Sequence, residues 1–102
     1  MKWPLDPKDV KTRRISASTL VCESPCLLVG LVMAPVTTSG QITAWDGQGT
    51  MGEAKATFDI TKGTTLAYDP LVPPLHGDGL YIEFTTFAGY VTVQFAKLQQ
   101  GE

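Results

Sequence analysis

This chain is poor in the residues that do chemistry. Its 102 residues include one histidine and two cysteines, and only 18% are charged. The histidine, His76, lies in Pro74-Leu75-His76-Gly77-Asp78-Gly79, which reads as a solvated turn. Asp78 is placed to orient it, but no Gly-x-Ser-x-Gly elbow supplies a serine for it to activate. Two cysteines and one histidine fall short of the four N or S ligands of a structural zinc site. Asp46, Asp59, Asp69, Asp78 and Glu83 follow no calcium-loop spacing. Asp46-Gly47 and Asp78-Gly79 are explained as turn formers. Gly47, Gly49 and Gly52 share one loop with no helix behind it, which excludes a phosphate cradle. The expectation is no catalytic residue, no metal and no cofactor.

Other absences bound the class. The longest apolar run, Leu27 to Val36, is interrupted by Gly30 and Pro35 and falls short of the ~20 residues that cross a bilayer. No membrane partner is expected. Met1-Lys2-Trp3-Pro4 leads into charges and not into the apolar core of a signal peptide, so synthesis in a cytoplasm is expected. Helical periodicity never lasts beyond a turn or two. Disorder requires low hydrophobicity with high net charge; here 43% of residues are hydrophobic and the formal net charge is −2.

That small charge is unevenly placed. Residues 1–14 carry Lys2, Lys8, Lys11, Arg13 and Arg14 against Asp6 and Asp9, a balance of +3. The rest has Lys55, Lys62 and Lys97 against eight carboxylates, a balance of −5. A basic segment on an acidic body suits docking onto an acidic neighbour, another copy included. Nucleic acid is not expected, because the body offers no basic face for phosphates.

What is present is alternation. Leu80, Ile82 and Phe84 point one way, with Tyr81, Glu83 and Thr85 opposite. After a turn at Phe87-Ala88-Gly89, Val91, Val93 and Phe95 form a second stripe. Period-2 patterning with β-branched and aromatic residues marks strands, here read as a closing hairpin. Further strands are expected over 12–21 (Ile15, Ala17, Thr19 and Val21 on one face), 27–34, 41–46, 55–60 and 65–69. Leu27 to Ala34 is almost continuously apolar and reads as buried on both faces, its outer face covered by an N-terminal arm or another subunit. Seven short strands between turn signals predict an all-β, small antiparallel sandwich over 14–102. Pro4 and Pro7 make residues 1–13 an extended N-terminal arm.

Candidate contact residues follow. Trp3, Lys8, Lys11, Arg13 and Arg14 belong to the arm and its root, Leu28 and Leu31 to the doubly apolar strand. Trp45, Tyr68, Tyr81 and Tyr90 are read as exposed aromatics, fit for a subunit interface or a sugar-binding face. Cys22 and Cys26 flank a proline turn. Free thiols are expected in a reducing cytoplasm, with a disulfide between them as the alternative.

The order of pieces carries a resemblance. The strand Leu27-Leu-Val-Gly-Leu-Val-Met-Ala34 leads to Ser39-Gly-Gln-Ile-Thr-Ala-Trp-Asp-Gly47. Gly63-Thr-Thr-Leu-Ala-Tyr-Asp-Pro70 follows, then Gly79-Leu-Tyr-Ile-Glu-Phe84 and Val91-Thr-Val-Gln-Phe95. Over residues 14–96 this resembles the small β-sandwich structural proteins of tailed bacteriophages. The resemblance implies a jelly-roll-like or immunoglobulin-like sandwich in a virion and carries no catalytic residue across. It implies a non-enzymatic capsid decoration or cement protein, acting as a homotrimer or other homo-oligomer on the major capsid protein or another virion protein. A neck, collar or tail component is the alternative of the same class. A carbohydrate-binding module using Trp45 and the tyrosines is the alternative of another.

Overall fold

The computed structural model describes residues 10–70 and 73–97. They form nine strands: β1 Val10–Ile15, β2 Thr19–Cys22, β3 Cys26–Thr38, β4 Gly40–Asp46, β5 Glu53–Ile60, β6 Leu66–Tyr68, β7 Leu75–His76, β8 Leu80–Thr85 and β9 Ala88–Lys97. Sheet I has the order β1-β9-β3-β6, with β7 also paired to β3, and sheet II has the order β2-β8-β4-β5. Every pairing is antiparallel. The chain is an all-β sandwich, and no helix occurs among the described residues.

The inner faces are those the alternation marks. Met33 from β3, Ile42 and Ala44 from β4, Leu80 and Ile82 from β8, and Val91 and Val93 from β9 are all fully buried. Each large aliphatic side chain so enclosed contributes about 1.5–3 kcal/mol relative to exposure. Phe58 and Tyr68, ring centroids 4.9 Å apart, close one side between β5 and β6. Phe84 and Phe87 meet edge-on at 5.1 Å where the chain passes from β8 to β9. Such pairs add about 0.5–1.5 kcal/mol beyond their burial.

Three expectations are corrected. The closing hairpin is not a hairpin, because β8 pairs with β2 and β4 in sheet II while β9 pairs with β1 and β3 in sheet I. The turn between them crosses the sandwich, with Thr86 at φ 62° and Phe87 sunk into the core. Second, the single strand expected over 12–21 is two: β1 joins sheet I, and after Ser16-Ala17-Ser18 β2 joins sheet II. Val10 to Arg13, expected in the arm, therefore belong to a strand. Among the described residues β1 ends its sheet and only β9 pairs with it. The rest of the expected arm lies outside the described residues.

Third, the apolar run on β3 is explained by bulges more than by double burial. Leu28 pairs with Phe95 but Gly30 with Gln94, so β3 spends two residues where β9 spends one. A second slip falls between Met33 and Val36. Each slip reverses which residue faces inward. Cys26 and Leu28, then Leu31 and Met33, then Val36 therefore enter the same core. On the outer side Leu27 is buried at 5%, paired with Leu75 and Ala96, whereas Val32 is 41% exposed. Leu28 and Leu31, at 0% and 1%, are core residues and not contact residues.

Only β4 and β5 are both consecutive in the chain and paired with each other. Their connection, residues 47–52, returns so tightly that a Cβ on Gly52 would collide with the Asp46 carbonyl oxygen. Backbone approach of that kind admits glycine alone.

Candidate functional site

The chemistry-bearing side chains fall into three places. The first is one end of the sandwich, where three loops are tied together. The Gly47 N–H donates to the Gly79 carbonyl at 3.1 Å, and the Asp78 N–H donates to Asp46 Oδ1 at 2.9 Å. The two Asp-Gly turns thus bind each other. Gln48 Nε2 donates to the Glu23 carbonyl at 3.0 Å and adds the turn between β2 and β3.

Behind these loops sit His76, Cys22 and Cys26. His76 is 0% exposed, against the expectation of a solvated turn residue. Its strand β7 pairs His76 with Cys26 on β3, and this carries the ring inside. A carbonyl can only accept, so Nδ1 carries the proton and donates to the Trp45 carbonyl at 3.2 Å. Nε2 is then a lone-pair acceptor, buried and without a hydrogen-bond partner among the described residues. Burial lowers the His76 pKa from its ordinary value, and Lys55 adds to that. The Trp45 carbonyl, Asp46 and the Gly79 backbone act the other way.

Both cysteines are free thiols and both are buried. Cys22 sits on sheet II opposite Leu80, while Cys26 opens β3 in sheet I. The Cys22 sulfur donates to the Ser24 carbonyl at 3.4 Å. Burial first, then the neighbouring Cys22 thiol, pushes the Cys26 pKa up to about 12. A thiol so placed is almost wholly protonated at neutral pH and reacts slowly. Among the described residues no group of three or more His, Cys, Asp and Glu side chains is arranged to hold a metal ion.

The second place is the outer face of sheet II. Strand register sets Trp45 opposite Tyr81, Thr43 opposite Glu83 and Thr57, and Gln41 opposite Thr85 and Asp59. Trp45 Nε1 donates to Glu83 Oε1 at 3.0 Å, and Gln41 Nε2 donates to Asp59 Oδ1 at 2.8 Å. The Thr43 and Thr57 hydroxyls lie 3.4 Å apart. Trp45 and Tyr81 are thus brought together, half-buried, in a row beside polar side chains that brace one another. Tyr90 belongs elsewhere, on β9 in sheet I, and Tyr68 closes the core against Phe58.

The third place is β1, the end strand of sheet I among the described residues, where Lys11, Thr12, Arg13 and Arg14 are exposed in succession. The Arg14 guanidinium carbon stands 3.9 Å above the centre of the Tyr90 ring, a cation–π contact. Between this edge and β2 the two sheets part to form an open groove of about 320 Å³, lined by Lys11, Leu20, Val21, Cys22, Phe95 and Lys97 among others. Trp3 and Lys8 lie outside the described residues.

Sequence reasoning missed the enclosure of His76 and the groove. The available signal for His76 was Pro73-Pro74-Leu75 before it, a rigid extended lead that suits pairing along a sheet edge. The groove has no local signal, because its walls come from β1, β2 and β9. No family model, curated protein or solved structure matches this chain.

Proposed function

We propose that this chain is a non-enzymatic structural component of a tailed-phage virion, a capsid decoration protein that acts as a homo-oligomer. The observation that carries the reading is the run of exposed basic residues on β1, the end strand of its sheet among the described residues, continuous in sequence with a basic N-terminal segment on a body that is otherwise acidic. A charged edge strand resists like-with-like pairing, since two β1 edges would set Lys11, Arg13 and Arg14 against their copies. It favours an acidic surface on a neighbouring subunit or on the capsid protein. Each such contact is modest; many copies on one particle make attachment tight. A neck, collar or tail position would use the same surface in fewer copies.

Light scattering of wild type and of an Arg13→Glu/Arg14→Glu variant tests self-assembly. The expected result is a closed oligomer for wild type and a smaller species for the variant, with a matching loss at high salt. A wild-type monomer at every concentration would overturn self-assembly. Immunogold labelling of phage particles from the producing host tests the location, and unlabelled capsids would refute decoration.

The Trp45–Tyr81 row favours a second reading, recognition of a sugar ring by an aromatic platform with flanking Glu83 and Gln41. Specific glycan-array binding that is lost on Trp45→Ala would support it over the virion reading.

A further inference from the structure

We propose that Cys22 is a site of thiol–disulfide exchange with a small anionic disulfide of the glutathione type, and that Cys26 resolves the adduct into a bond joining the two sheets. The inference is independent of the function proposed above. It rests on access, charge and pairing together.

Access is unequal. Cys22 lines the groove between β1 and β2 and is 9% exposed, whereas Cys26 is 0% exposed behind it. The groove has apolar walls in Leu20, Val21 and Phe95, and Lys11 and Lys97 stand at its margin with Glu23. Among the described residues two ammonium groups stand against one carboxylate, which favours entry of a carboxylate-bearing disulfide over a neutral one. The thiolate of Cys22 attacks a sulfur of the incoming disulfide, forms the mixed disulfide and expels one glutathione thiolate.

Pairing supplies the second step. Cys22 and Cys26 are separated only by Glu23-Ser24-Pro25, and both side chains enter the same buried cluster. The Cys26 thiol gives up its proton, attacks the Cys22 sulfur and releases the second glutathione thiolate. Two protein thiols are oxidised and one glutathione disulfide is reduced to two thiols. The protons lost by the cysteines finish on the released glutathiones or in solvent. Burial keeps Cys26 protonated, which makes the second step the slow one. The product links β2 in sheet II to β3 in sheet I.

The test treats the folded, reduced protein with glutathione disulfide and follows intact mass and free-thiol count. Wild type is expected to gain one glutathione and then to finish two hydrogens lighter than the reduced chain. Cys26→Ser should stop at the mixed disulfide, and Cys22→Ser should remain unmodified. Lys11→Gln/Lys97→Gln should slow the first step severalfold with glutathione disulfide but not with neutral bis(2-hydroxyethyl) disulfide. Peptide mapping of the wild-type adduct places the first modification without any variant. Modification only in denaturant, an adduct mapping first to Cys26, or equal slowing with both disulfides would each overturn the proposal.

Discussion

Protonation of His76 should be a pH-dependent load on this fold, lost stability that one-proton linkage bounds. The ring is enclosed, its Nδ1–H is committed to the Trp45 carbonyl and Nε2 faces no donor. A second proton would put a charge on an enclosed ring, and burial is the largest influence on it, so the folded pKa lies below the ordinary 6.5. Below pH 6.5 the unfolded chain takes up a proton that the folded chain refuses. The unfolded state then binds more protons, and stability falls as pH falls from about 6.5 toward the lower folded value. Where the two states differ by one full proton, the slope is about 1.4 kcal/mol per pH unit. An enclosed ring that stays neutral throughout would cost the fold about 1.4 kcal/mol by about pH 5.5. The Trp45 carbonyl, Asp46 and the Gly79 backbone raise the ring's proton affinity and Lys55 lowers it, and burial outweighs the three that raise it. The assay is urea unfolding at a series of pH values between about 7.5 and 5.5, read by tryptophan fluorescence. His76→Asn keeps an N–H near the Trp45 carbonyl and cannot titrate. It should lower stability by about 0.5–3 kcal/mol at every pH and flatten the slope. The difference between the two slopes isolates His76 from the carboxylates. Parallel curves for wild type and variant would refute the reasoning.

Other expectations concern packing and the edge. Leu28→Ala should cost about 2–5 kcal/mol, whereas Val32→Ala, four residues along the same strand, should stay within about 0.5 kcal/mol; comparable losses in urea melts would disprove the bulge-set phase of β3. Gly52→Ala should destabilise by at least about 1–3 kcal/mol because its Cβ meets backbone that has no rotamer to yield, and an unchanged Tm would contradict the close return of the 47–52 loop. Arg14→Ala and Tyr90→Ala each remove an exposed cation–π partner. A double-mutant cycle should give a coupling of about 0.5–1 kcal/mol, and zero coupling would show that the contact contributes nothing in solution.

The division between what was legible and what was not follows from range. Alternation over 80–85 and 91–95 identified two strands and their inner faces correctly, because side-chain direction is a local property of extended backbone. The same pattern says nothing about which strand lies alongside, and the inferred hairpin is a crossing between sheets. Trp45 and Tyr81 were legible as outward positions, but their adjacency depends on β4 lying beside β8, and Tyr90 joined neither. Leu28 and Leu31 could not both face inward on a regular strand, three residues apart; only the bulge opposite β9 allows it. His76 read as a turn residue, and its enclosure comes from pairing with β3, fifty residues earlier in the chain. By itself the sequence determined the all-β class, most strand positions and faces, and the uneven placement of charge. Tertiary structure alone decided strand partners, the burial of His76 and Cys26, and the groove beside Cys22, because each of these is set by backbone hydrogen bonds and packing between segments remote in the chain.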